Sequence, residues 1–134
     1  MGIDLGTKRI GIAISDYNQK IATPLQTLGK SKQGKLIDEL ESIITENDIK
    51  GLIIGNPINM DGTYGKSSQS AKDTAINISN KIDIPISLWD ERLSTVGAFN
   101  LSSELDVNVS KRERDIDKFA AAFILQGALD YFQN

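Results

Sequence analysis

The chain has no cysteine and no histidine. The first absence excludes disulfides, thiolate zinc sites and cysteine nucleophiles. The second excludes Ser-His-Asp triads and any histidine general base. A metal bound here must be held by oxygen, which selects the hard ions Mg²⁺, Mn²⁺ or Ca²⁺. No run of about 18 or more apolar residues occurs, and no signal-peptide pattern precedes the first strand. The expectation is a soluble, cytoplasmic protein with no membrane partner. A positive excess is also missing, since the net charge is −3. Nucleic-acid binding is therefore not favoured by composition alone and would depend on local clusters of basic residues. A length of 134 residues suits one domain, 1–134, with a sizeable core.

The stretch from Met1 to Asp16 reads as strand, tight turn, strand. Alternation puts Ile3 and Leu5 on one face of the first strand and Asp4 on the other, between Gly2 and Gly6. A carboxylate in an apolar strand is costly unless something binds it, and the flanking glycines leave room for a close approach. Thr7, Lys8 and Arg9 add a hydroxyl and two positive charges at the turn. Asp4 thus reads as the first member of a metal-binding carboxylate set, or as a strand-edge Asp that bonds its own turn.

Further along, Ile10–Ser15 and Ile21–Leu28 complete an antiparallel meander, with the Asp16–Gln19 turn between them and Pro24 marking an edge strand. Helical spacing then predicts a helix from Lys32 to Asn47, and a second from Ser67 to Ile82 with Ala71, Ala75, Ile78 and Ile82 on one face. Lys50–Gly55 reads as a buried parallel strand and Ile84–Trp89 as a fifth strand. A third helix is expected from Ser94 or Thr95 to Leu101, a loop over Asp106–Arg114, and a last helix over Ile116–Phe132. Right-handed crossovers place the fourth strand beside the first and the fifth beyond it. The result is an α/β, mixed five-stranded sheet, a three-strand meander plus two parallel strands, flanked by helices.

Glu91 follows the fifth strand at its carboxyl end, where open α/β sheets bind ligands. Arg92 suits phosphate, while Ser94 and Thr95 would cap a helix whose N-terminus attracts anions. A plain capping and salt-bridge cluster would use the same residues. Asp117 is expected in the first turn of the last helix, sharing a face with Ala120, Ala121, Ile124 and Ala128, and so turned toward the sheet. Asp115 is then the N-cap or an auxiliary ligand. Asp4, Glu91 and Asp117 can converge, and divalent cations would relieve their mutual repulsion. One or two Mg²⁺ or Mn²⁺ ions held there could promote phosphodiester hydrolysis without histidine, with Lys8, Arg9 and Arg92 on flanking phosphates.

Four segments, Gly2–Gly11, Asn59–Thr63, Asp90–Thr95 and Asp117-x-x-Ala120-Ala121-x-x-Ile124-Leu125-Gln126, resemble the YqgF or RuvX family in order and over nearly the whole chain. The resemblance implies an RNase H-like fold and a metal-dependent nuclease with Asp4, Glu91 and Asp117 as catalytic ligands. Thr7, Lys8, Arg9, Asn59, Arg92, Ser94 and Thr95 are the matching substrate-side positions. It further implies either 5′-end maturation of pre-16S rRNA, with the ribosome as a possible partner, or Holliday junction resolution. The usual Gly-Leu-Pro before the Asn-Met-Asp-Gly motif is Gly55-Asn56-Pro57 here.

Two other classes compete. The Gly2–Thr7 turn also resembles the first phosphate motif of the actin, sugar-kinase and heat-shock chaperone superfamily, but those proteins close two such domains around a nucleotide. A non-catalytic nucleic-acid or ribosome-associated module would not need inward carboxylates or divalent metal. Within the nuclease reading, symmetric junction cutting calls for a dimer, whereas trimming of RNA can be done by a monomer. Tyr17, Tyr64, Trp89 and Phe99 are the aromatic candidates for base contact; Trp89, in a strand, reads rather as core and Tyr64 as the better loop candidate.

Overall fold

The computed structural model describes residues 1–6, 9–29, 33–56, 65–90 and 109–133, with the backbone alone at 33–34, 67, 109–117 and 133. Five strands and three helices are described: β1 Gly2–Leu5, β2 Arg9–Ser15, β3 Ala22–Gly29, α1 Gln33–Glu46, β4 Leu52–Asn56, α2 Lys66–Lys81, β5 Ile86–Asp90 and α3 Val109–Gln133. The sheet order is β3-β2-β1-β4-β5. β1–β2 and β2–β3 are antiparallel, while β1–β4 and β4–β5 are parallel. The mixed sheet and its strand order are those the periodicity predicts. The helix predicted between Ser94 and Leu101 and the loop 57–63 lie outside the described residues.

The two faces of the sheet differ in kind. On one face Ile3, Ile10, Ile12 and Ile54 pack against Leu36, Leu40 and Ile44 of α1 and Ala71 and Ile78 of α2. The opposite face is built from small side chains: Ala13 meets Ala121, Ala122, Leu125 and Leu129 of α3, with Ile53 at the margin. Bulky β-branched and leucine side chains hold α1 and α2 at ordinary distance, whereas alanines let α3 come close. At Gly2 the approach is closest. A Cβ there would stand 2.8 Å from the Ala121 carbonyl oxygen and 2.8 Å from Leu125 Cβ.

β3 is an edge strand, as Pro24 implies. Ile12 pairs with Gln26 and Ala13 with Pro24, so Leu25 is the extra residue of a β-bulge. Proline is tolerated there because an edge strand beside a bulge has a backbone position free of the ladder. The β2–β3 turn is closed by Gln19 N–H donating to the Asp16 carbonyl at 3.0 Å, with Gln19 at φ 57. Asp16 Oδ1 accepts from the N–H groups of Lys20 at 2.8 Å and Ile21 at 3.1 Å. Those two bonds hold the Asp16 carboxyl below its usual range.

One element departs from its predicted bounds. The stretch Asp106–Arg114, read as a loop, is helical backbone from Val109 onward, so α3 starts well before Ile116. Lys, Arg and Glu are good helix formers, and the lack of an apolar period signals the lack of a buried face, not the lack of a helix. Packing at Ala120–Leu129 anchors the helix, and each further residue of an existing helix adds a hydrogen bond without a new nucleus. Asp115 is consequently inside α3 and not its N-cap, and Asp117 is about two turns past the start, not in the first turn. No described helix is long and apolar enough to cross a membrane.

Two consequences can be measured. Gly2→Ala forces α3 off β1 and should cost about 1–3 kcal/mol of stability in denaturant unfolding, since both opposing atoms are held by the helix backbone. The lowered Asp16 pKa contributes stability that is present above the ordinary carboxyl range and lost as pH falls through the folded-state value. Melting temperature should therefore fall less steeply below about pH 4 in Asp16→Asn than in the parent protein.

Candidate active site

The carboxyl ends of β1, β4 and β5 lie at one end of the sheet, because the three strands are parallel. Asp4 is next to last in β1, in the middle of the sheet. It shares the face of Gly2 by alternation, which is the face covered by α3. Across the ladder it meets Gly11, which offers no side chain to fill the space beside it. The residue is only 7 % exposed. A carboxylate so placed needs compensation by hydrogen bonds or positive charge. The β1 turn begins immediately after, with Gly6 N–H donating to the Asp4 carbonyl at 3.1 Å.

Arg9 opens β2 at the same end, half-buried, with its Nε shielded from solvent. On β5, Trp89 faces α3: a Cβ at Gly127 would lie 3.2 Å from Trp89 Nε1, and the Tyr131 ring meets the indole edge-on at 5.8 Å. Trp89 is thus packed under α3, as its strand position predicts. Asp90 alternates to the α1/α2 face, in register with Asn56 of β4. Tyr17, 96 % exposed, sits on the β2–β3 turn at the end of the sheet away from Asp4.

The course of α3 decides how Asp117 relates to Asp4. Gln126 of α3 meets Lys20 and Ala22 beside the β2–β3 turn. Ala121 lies over Gly2. Traced backwards through these two points, the helix leaves the β2–β3 turn and heads for the end of β1 that bears Asp4. The backbone of 117 is one turn before Ala121, a step of about 6 Å, and Asp4 is two strand residues beyond Gly2, about 6.6 Å. Among the described residues no group of three or more His, Cys, Asp or Glu comes together. Glu91, Thr7, Lys8, Asn59, Arg92, Ser94 and Thr95 lie outside the described residues, as does the Asp117 side chain.

Two polar positions carry more structure than their sequence suggests. Asn56, the departure from Gly-Leu-Pro, is buried at the end of β4 and accepts a 2.6 Å hydrogen bond from Ser68 Oγ of α2, itself fully buried. It lies on the α1/α2 face, opposite to Asp4, and ties the first turn of α2 to the end of β4. Gln126 is the second. Its signal in the sequence is a carboxamide beside Leu125 on an otherwise alanine-rich helix face. A cavity of about 770 Å³, bordered by Met1, Gly51, Pro85, Leu129 and Phe132, opens at the other end of the parallel strands and is not part of this site.

Five strands in this order, helices on both faces and a buried aspartate at the carboxyl end of the central strand define an RNase H-like protein. Solved structures agree on the fold. Thermus thermophilus RuvC in complex with Holliday junction substrate matches with a TM-score of 0.59 at 12 % identity, over 99 % of this chain and 94 % of that one. The model of the family described as "RuvX: Holliday junction resolvase" matches residues 1–131, and the chain belongs to that family. A relative in Pelagibacter ubique (strain HTCC1062) is 63 % identical over 134 residues, all of this chain and 89 % of the other. One in Rhizobium meliloti (strain 1021) is 47 % identical over 129 residues, 96 % of this chain and 78 % of the other. Both carry the name "Putative pre-16S rRNA nuclease".

The Asn56–Ser68 pair gives a prediction. Asn56→Leu strands the Ser68 hydroxyl in the core and should cost about 1–3 kcal/mol, while adding Ser68→Ala should restore most of the loss, as read from urea midpoints of the single and double variants.

Proposed function

We propose that the protein is a divalent-metal-dependent phosphodiester hydrolase that works as a single cytoplasmic domain on nucleic acid, with 5′-end maturation of pre-16S rRNA as its reaction. The observation that supports this most is the burial of Asp4 at the carboxyl end of the central strand, on the face that α3 covers. Membership of the RuvX family and the names of the relatives supply the substrate class.

The donor chemistry fits a hard cation. With neither histidine nor cysteine in the chain, the ligands are carboxylate oxygens, and Asp4, Glu91 and Asp117 are the set that would hold Mg²⁺ or Mn²⁺, two ions in our reading. Asp4 comes from the rigid middle of the sheet. Glu91 directly follows β5, two residues from Trp89, which faces α3. Asp117 comes from the helix that presses on β1. Bound divalent ions supply electrostatic stabilisation of the phosphoryl group and make water more acidic.

The chain's own residues then do the positioning. Arg9, half-buried beside the site, holds a phosphate in place as a fixed charge, with Lys8 and Arg92 on flanking phosphates. Thr7, Ser94 and Thr95 offer hydroxyl donors, and Asn59 an amide, for the backbone oxygens of the substrate. Water adds to phosphorus, one P–O ester bond breaks, and the products are an alcohol and a phosphate monoester. The family's description as a Holliday junction resolvase favours a second reading, resolution of Holliday junctions, which would require a dimer to cut two strands symmetrically.

One assay separates these readings. Purified protein with Mg²⁺ or Mn²⁺ is offered an rRNA precursor carrying its 5′ extension and, in parallel, a four-way DNA junction. Trimming of the RNA alone supports maturation; paired symmetric nicks in the junction make the protein a resolvase. Asp4→Asn should keep the fold and lose cleavage by about 10³-fold or more, the equivalent of about 4 kcal/mol of transition-state stabilisation. Mg²⁺ should raise the melting temperature of the parent and not of this variant. Undiminished cleavage by Asp4→Asn would refute the metal site.

A further inference from the structure

We propose that Gln126 is a positioning residue for the active site: it sets the rotation and axial register of α3, and through them the place of Asp117 relative to Asp4. The inference rests on the carboxylate metal site proposed above. Gln126 Oε1 accepts from the Ala22 N–H at 2.9 Å, and its Nε2 donates to the Lys20 carbonyl at 2.8 Å. The same Nε2 donates to Asp130 Oδ1 at 2.9 Å, one turn further along α3. The carboxamide is thereby held in one orientation, and both of its long-range partners are backbone groups of the hairpin between β2 and β3.

The apolar contacts of α3 are less directional. Its seam with the sheet consists of Ala121, Ala122, Leu125 and Leu129 on Ala13 and Ile53, with Ala121 and Leu125 over Gly2 and Gly127 against Trp89. Contacts among small apolar side chains are non-directional, and they fix how near the helix comes far better than how it is turned. A slip of one residue along α3 moves a side chain by about 1.5 Å and turns it by about 100°. That displacement carries an aspartate out of a coordination sphere that tolerates about 0.5 Å. The two hydrogen bonds of Gln126 are directional and exist at one register only. Ala22 begins the edge strand, so its N–H is bound to α3 and not to a further strand, and the same carboxamide seals an edge group. From Gln126 to Asp117 is about 2.5 turns of continuous helix, short enough for a helix to transmit the setting rigidly.

The test compares the parent with Gln126→Leu, Gln126→Glu, Ile78→Val and Asp4→Asn, each at a temperature well below its own melting point. Mn²⁺ binding is read from the electron paramagnetic resonance of the free ion, so that no substrate or turnover is involved. Both Gln126 variants should bind Mn²⁺ about tenfold more weakly or worse. Ile78→Val, which thins the core on the other face of the sheet, should lower the melting temperature and bind as the parent does. The emission of Trp89, the one tryptophan, packed on Gly127, should shift in the Gln126 variants alone. Gln126→Glu matches glutamine in size and keeps the acceptor for Ala22, and it decides the matter if Gln126→Leu does not fold. Parental Mn²⁺ affinity in a folded Gln126 variant, with stability alone reduced, would overturn the proposal. Parental affinity in Asp4→Asn would instead overturn the metal site itself, whatever Gln126 does.

Discussion

The contact between α3 and β1 at Gly2 is the constraint on which the rest of the structure depends. A helix can lie this close to a sheet only where both surfaces are nearly bare, and here the sheet offers Gly2 and Ala13 while the helix offers Ala121 and Ala122. Such a seam contributes little area per residue, so it is weak as a source of hydrophobic stability. What it provides is proximity. The residue after the seam on β1, in the same face, is Asp4, and the residue one turn before it on α3 is Asp117. A bulkier seam would hold these two positions apart.

Stability is supplied from the other side. Ile3, Ile12, Leu40, Leu52, Ile54 and Ile78 are fully buried between the sheet and α1 with α2, and they carry the core. One layer of the molecule is thus built to hold together and the other to bring α3 close to β1. Polar groups in the bulky layer are satisfied locally, as Asn56 and Ser68 satisfy one another. Polar groups in the thin layer reach across the chain, as Gln126 does to the β2–β3 hairpin. The separation keeps a costly buried carboxylate, Asp4, away from the core on which folding depends.

The chemistry available at this site is narrowed by what the chain does not contain. Hydrolysis of a phosphodiester needs stabilisation of charge on phosphorus and an activated water, and no imidazole or thiol is present to help. The carboxylates proposed as ligands belong to β1, to the residue after β5 and to α3, elements that are far apart in the chain. The parallel arrangement of β1, β4 and β5 sets the carboxyl ends of those strands at one end of the sheet. The RuvX family and the RuvC-like fold place this arrangement among nucleic-acid enzymes, while the choice between RNA precursor and DNA junction depends on surfaces beyond the carboxylates.

Much of the architecture was legible in the residues. Alternating isoleucines marked β2, the contiguous run Leu52-Ile53-Ile54 marked a strand buried on both faces, and Pro24 marked the edge; the strand order then followed from right-handed crossovers. These features are legible because they are set by local geometry and side-chain period. Asp4 could be singled out for a related reason, as a carboxylate in an apolar strand between two glycines. Other features were decided by the tertiary structure alone. The start of α3 is one of them, because the residues of its N-terminal turns show no apolar period. The roles of Asn56 and Gln126 depend on partners 12 and more than 100 residues away, which no local pattern encodes. Sequence by itself determined which elements form and which residues are costly to bury. Only the folded chain decided how close α3 comes to β1 and at what register, because that is settled by atoms meeting across the sheet.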